Sequence, residues 1–127
     1  MNILFDSDTH LFWEEEGIIC FSYKVPVVDL EIVKQGLEIR NEILDKNPHL
    51  FFGDLTGVHN ITNEARQFYS SEESSGNVIA AAVLTSNAIT KIIATFFQSF
   101  NRPKVPFKFF SSKEKAFQWL HEIAKGK

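Results

Sequence analysis

The side chains best able to bind a ligand or move a proton are concentrated in Asp54-Leu55-Thr56-Gly57-Val58-His59-Asn60-Ile61-Thr62-Asn63-Glu64-Ala65-Arg66. Asp54, His59 and Arg66 supply the acid, base and cation that acid–base catalysis brings together. Asp54, Thr56, His59, Asn60, Thr62, Asn63, Glu64 and Arg66 also offer a row of donors and acceptors to a protein partner or a ligand. Asp54 and Thr62 have a simpler reading, in which one closes a turn and the other caps a helix. A second polar cluster, Ser70-Ser71-Glu72-Glu73-Ser74-Ser75, is either a loop open to phosphorylation or a solvated acidic turn.

Other chemistries lack their spacing. His10, His49, His59 and His121 form no H-x-x-x-H or H-E-x-x-H pair, and with one cysteine there is no C-x-x-C. All four histidines therefore read as surface or loop positions, and no metal or cofactor is expected. Cys20 lies between Ile19 and Phe21 without a basic neighbour to lower its pKa, so it reads as a small core residue and not a nucleophile. The six glycines are scattered, with no G-x-S-x-G elbow, Walker loop or G-x-G-x-x-G. No residue is assigned a catalytic role.

The elements around the 54–66 loop place it at the end of a strand and the start of a helix, where open α/β sheets put ligands and partner surfaces. Asn2 to Phe5, Thr9 to Trp13 and Ile18 to Tyr23 read as strands, the last two joined through Gly17 as a hairpin. Pro26 ends that run. Asp29 is the N-cap of a helix to about Asp45, which Asn47-Pro48 stops. Leu50 to Gly53 is a strand, Leu55 to Ile61 a loop, and Thr62 the cap of a second helix carrying Ala65, Phe68 and Tyr69. Val78 to Leu84 is apolar without alternation, as expected of a strand covered on both faces of a parallel sheet. Ser86 starts a helix with a broad stripe of Ala88, Ile89, Ile92, Ile93, Phe96, Phe97 and Phe100. Val105 to Phe110 is a strand that Pro106 confines to an edge. Ser111 and Glu114 form the capping box of a last helix with Ala116, Phe117, Leu120 and Ala124 inward.

The 127 residues, 44% apolar and 23% charged, predict one domain over 1–127 that buries a single core. The longest apolar run is too short to span a bilayer and no secretory leader is visible, so a cytoplasmic location is expected. A net charge of −3 excludes a broad basic footprint for nucleic acid. Phenylalanine is overused, with 13 against 2 Tyr and 2 Trp, and falls mostly at core positions.

The order of elements and Asp54-Leu55-Thr56-Gly57-Val58 resemble the SpoIIAA-like fold of STAS domains, the anti-sigma factor antagonists. There a D-L-S-G-V type strand end leads into a D-S-S-G motif whose serine a partner kinase phosphorylates. In register, Thr62-Asn63-Glu64-Ala65 lies over D-S-S-G, so Asn63 and Glu64 occupy the serine positions and the phosphoacceptor is missing. Glu64-Ala65-Arg66, Ala82-Val83-Leu84-Thr85-Ser86, Phe96-Phe97, Asn101-Arg102-Pro103, Pro106, Phe109 and Ala116-Phe117-Gln118-Trp119-Leu120 are similar to an uncharacterised bacterial family of that group, sometimes described as STAS/Sec14-like. The resemblance implies an α/β fold: a mixed β-sheet with an N-terminal antiparallel hairpin, parallel later strands and about four packed helices.

Three functions follow for test. The leading expectation is a non-enzymatic regulatory module that engages an unidentified protein partner through the 54–66 surface. The alternative is a carrier or sensor of a small apolar ligand, such as a lipid, held between the sheet and phenylalanines including Phe96, Phe97, Phe100, Phe107, Phe109 and Phe110. An enzyme using Asp54, His59 and Arg66 is the third. The apolar stripe ending at Phe100 would serve equally as a homodimer surface or be buried within one chain.

Overall fold

The computed structural model describes residues 2–71, 76–99 and 105–126, the side chains of 96–99 excepted. Strands β1 (Asn2–Asp6), β2 (His10–Glu15) and β3 (Ile18–Tyr23) form an antiparallel meander. β2 and β3 meet through Glu16 and Gly17, both at positive φ, 54° and 77°. That is the mirror-image turn that matches strand twist, and glycine adopts it without a Cβ clash. The short turn lets β2 pair two residues beyond the expected end at Trp13.

The chain continues through β4 (Val27–Val28), α1 (Leu30–Ile43), β5 (His49–Asp54), β6 (Asn60–Ile61) and α2 (Asn63–Tyr69). It ends with β7 (Val78–Leu84), α3 (Asn87–Ser99), β8 (Phe107–Phe110) and α4 (Lys113–Lys125). The six-stranded sheet has the order β1-β2-β3-β5-β7-β8 and is parallel from β3 onward. This is the mixed sheet with an antiparallel start and four helices that the sequence predicts among the described residues. β8 follows Pro106 and lies at the sheet edge, as that proline requires.

The predicted caps at Asp29 and Thr62 are present: Asp29 accepts from Ile32 N at 2.9 Å, and Thr62 Oγ1 accepts from Ala65 N at 3.3 Å. The cap of α4 is Ser112 and not Ser111; its side chain accepts from Lys115 N at 3.4 Å. Ala116, Phe117 and Leu120 are buried as expected, whereas Ala124 is exposed and Ile123 packs in its stead, three residues on from Leu120.

The sheet separates two apolar layers. On one face Leu50 and Phe52 of β5 and Ala80 and Ala82 of β7 pack under α4, with Phe52 edge-on to Phe117 at 5.2 Å. On the other, Phe51 and Val83 face α1, α2 and α3 through Val33, Ala65, Ile89 and Ile93. Alternation along β5 sends Phe51 and Phe52 to opposite layers. Cys20 lies in the α4 layer, where burial pushes its thiol up to about 12.

His10 corrects the expectation of four peripheral histidines, because it is 1% exposed. Its Nδ1 meets Thr9 Oγ1 at 2.7 Å and its Nε2 meets the Ile32 carbonyl at 2.8 Å, which ties β2 to α1. An alternating strand conceals such a residue, since a polar side chain bonded at both nitrogens can occupy an inward position.

Candidate functional site

The 54–66 segment is held largely by its own backbone. Asp54 ends β5, and its carboxylate accepts from Thr56 N at 3.0 Å and from the Thr56 hydroxyl at 2.7 Å. Leu55 N donates to the Leu84 carbonyl at 2.8 Å, extending the β5–β7 ladder by one bond. His59 N and Asn60 N donate to the Pro26 carbonyl, and Thr62 N donates to that of Val28 at 3.0 Å. Val27–Val28 and Asn60–Ile61 thereby form a small parallel sheet, where the sequence predicts a strand end at Pro26 and an unpaired loop. Two-residue strands are too short to show a period.

Leu55, Val58 and Ile61 are buried at intervals of three, and Ala65 follows them in α2. Thr56, His59, Asn60, Asn63 and Glu64 are left exposed. Among the candidate residues, Asp54 and Thr62 serve the turn and the cap. Asp54 and Thr56 are brought together by direct hydrogen bonds; His59, Asn60, Asn63 and Glu64 share the exposed rim. Arg66 is half-buried in α2. Of the serine cluster, residues 72–75 lie outside the described residues, as do Phe100 and the side chains of Phe96 and Phe97.

Behind this rim, in the layer between the sheet and α1, α2 and α3, lies a cavity of about 130 Å³. Phe12, Phe21 and Phe51 wall it from the sheet, Val33 and Leu37 from α1, and Phe68 from α2. It exists because small residues meet there: Gly53 of β5, Ala81 of β7 and Gly36 of α1 all line it. A Cβ at Gly53 would come within 2.6 Å of Phe21 Cζ, so glycine is what lets that ring lie flat over the strand. Phe107 also lines the cavity, whereas Phe110 turns to the opposite layer and packs on Trp119 at 5.7 Å.

Among the described residues, three polar side chains reach this apolar space: Tyr23, Tyr69 and Arg40. The Tyr23 and Tyr69 hydroxyls are hydrogen-bonded to each other. Burial pushes the Tyr23 phenol up to about 12 and raises that of Tyr69, against which Tyr23 also acts, well above the ordinary value. Both are neutral donors at physiological pH. Arg40 Nη2 donates to the Gly76 carbonyl at 3.2 Å, and its guanidinium stands 5.2 Å from the centre of the Phe51 ring. Burial lowers its pKa, which still leaves an arginine protonated.

The sequence singles out the rim and, of the cavity lining, Phe107 alone among the described residues. Tyr23, Arg40 and Tyr69 lie on β3, α1 and α2, 46 residues apart at the extremes, and only tertiary packing gathers them. The surplus of phenylalanine is the one signal that pointed to this layer.

Comparison with known proteins gives a family and a fold. A family model described as a domain of unknown function (DUF7793) matches residues 12–124. The chain is similar in structure to an uncharacterised protein of the DUF3478 family from Shewanella loihica PV-4, which has a SpoIIAA-like fold. The TM-score is 0.62 at 16% sequence identity, and the match covers 91% of this chain and 98% of the other. No curated protein matches the sequence. The fold is SpoIIAA-like, as the sequence resemblance implies, and among the described residues no helix is long and apolar enough to cross a membrane.

Proposed function

The chain belongs to the DUF7793 family, whose function is unknown, and from that premise we propose that it is a non-enzymatic regulatory module that senses a small apolar molecule. The observation that carries this reading is the position of the cavity. Leu55, the second residue of the 54–66 segment, lines it, and so do Phe68 and Tyr69 at the end of α2. A ligand in the cavity would press on the segment that presents Thr56, His59, Asn60, Asn63 and Glu64 to a partner. Sensing and partner engagement, separate expectations from the sequence, thus become two ends of one device.

The volume narrows the ligand class. Cavities of about 150 Å³ lined by Leu, Ile and Phe stay dry and accept benzene. At about 130 Å³ the site suits one ring or a short branched chain. The test is an amide NMR titration with toluene. Saturable shifts at Gly36, Gly53 and Ala81 that extend to Gly57 and His59 support sensing; shifts confined to the cavity leave a binder without a readout, and no saturable shift refutes the proposal. A separate observation, the exposed rim, favours partner binding without ligand; in that case rim variants H59A and N63A abolish partner association while toluene binding is absent.

A further inference from the structure

We infer that the ligand of this cavity is a small uncharged aromatic alcohol of the phenol class, its ring among the phenylalanines and its hydroxyl joined to the Tyr23–Tyr69 pair. The inference rests on the reading that the cavity is a binding site and adds the chemistry of the ligand's polar end.

Three observations support it. First, of the polar side chains among the described residues that reach the cavity, Arg40 is already engaged: it donates to the Gly76 carbonyl and stands over the Phe51 ring. The polar end of a guest therefore falls to the two tyrosines. Burial keeps both of their phenols neutral up to the alkaline range, and an uncharged guest gives up the least hydration to meet them. Second, two hydroxyls bonded to each other use one of their two protons and leave lone pairs unused. Among the described residues neither hydroxyl has another hydrogen-bond partner. The pair thus offers a donor and an acceptor side by side. A ligand hydroxyl is donor and acceptor at once, so a single oxygen meets both, and hydroxyls chained in this way polarise one another. A carbonyl or an ether meets only the donor, and a methyl group meets neither.

Third, the pair stands where rings and function meet. Phe21 lies edge-on to Tyr23 with ring centres 5.7 Å apart, and Phe51 and Phe68 line the same cavity, walls that favour edge-to-face contact with an aromatic guest. Tyr23 is the last residue of β3 and Tyr69 the last of α2, so their hydrogen bond ties the sheet to the helix whose first residues, Asn63 and Glu64, belong to the exposed rim. A ligand hydroxyl joined to the pair adds hydrogen bonds to that tie, which is the differential contact that sensing requires.

The experiment titrates the full chain with phenol and with toluene, which differ by a hydroxyl in place of a methyl, and follows amide NMR shifts in the wild type and in the double variant Y23F/Y69F. Replacing both partners of a hydrogen bond by apolar groups of the same shape is close to neutral for folding, whereas a single replacement would leave a hydroxyl for the ligand. The expected result is that phenol affinity falls about tenfold in the variant while toluene affinity stays within about twofold. A fall of less than about threefold relative to toluene overturns the inference and leaves the apolar site standing. If the variant fails to fold, as judged by its amide spectrum, the wild type decides. A buried hydroxyl without partners weakens binding by about fivefold or more. Phenol within about threefold of toluene, or tighter, therefore supports the inference, and weaker binding overturns it. Failure of both probes to bind the wild type overturns the site itself.

Discussion

Gly53→Ala tests whether the cavity is a true void. A Cβ there would lie 2.6 Å from Phe21 Cζ and 3.0 and 3.1 Å from Cε2 and Cε1. Carbon atoms settle at roughly 3.5–4.0 Å, so the ring must lift from the strand by about 1 Å. Phe12 and Tyr23 flank it, with ring centres 6.0 and 5.7 Å away, and the side away from the sheet opens on the cavity. Overpacking a filled core costs about 1–3 kcal/mol; a ring that retreats into empty space incurs the low end, about 1 kcal/mol. Removing glycine's freedom in the unfolded chain offsets about 0.4–1 kcal/mol. The net loss is therefore under about 1 kcal/mol, a fall in Tm of no more than roughly 5 °C for a chain of this length. The ring then occupies ligand space, so toluene affinity falls about tenfold or more. Urea unfolding and the toluene titration measure the two quantities. A loss above about 3 kcal/mol would mean that Phe21 has nowhere to go, and unchanged toluene binding would mean that the cavity does not adjoin it; either result refutes the reasoning.

Three further outcomes are expected. Thr62→Ala removes the acceptor of Ala65 N and should cost about 1 kcal/mol in urea unfolding, with faster amide exchange through α2; a neutral result would place the α2 start under other control. Burial raises Tyr23 from 10.0 to about 12, so an unfolded chain loses protons in that window that the folded chain keeps. Stability is thus full below about pH 10 and falls as pH rises towards about 12, and Tyr23→Phe should flatten that decline in alkaline urea titrations. Cys20, buried with its thiol pushed up to about 12, should resist a thiol reagent in the folded protein and react on unfolding; stoichiometric labelling of the native chain would contradict its placement.

The fold was legible where local physics acts alone. Asp29 and Thr62 announced helix starts, Gly17 a tight turn, Pro106 an edge, and the unbroken run at Val78 to Leu84 a strand covered on both faces. Legibility ended where a long-range partner decides. Val27–Val28 and Asn60–Ile61 become strands because each supplies the other's hydrogen bonds across 33 residues of chain, and neither segment carries a period of its own. The Ser111 cap was one residue early because two adjacent serines offer the same oxygen, and the direction of the backbone chooses between them. The candidate site divides the same way. Asp54 and Thr62 read correctly as turn and cap chemistry, while Tyr23, Arg40 and Tyr69 carry no shared motif and meet through packing.

The two layers of the sheet differ in their packing. Under α4, Ala80 and Ala82 face Phe52 and Phe117, and small positions are compensated by large ones. In the opposite layer Gly53, Ala81 and Gly36 coincide, and no described side chain fills the space they leave. Replacing Ala81 with a longer aliphatic residue would fill part of that space, and cavity filling commonly adds about 0.5–2 kcal/mol. The same substitution would cut the mechanical link from the cavity to Leu55 and Phe68. On the proposed reading a ligand would add stability without cutting that link, because it leaves when its concentration falls. Occupancy would then be coupled to the stability of the layer that carries the 54–66 rim, and a partner that prefers the ordered rim would by reciprocity tighten the ligand.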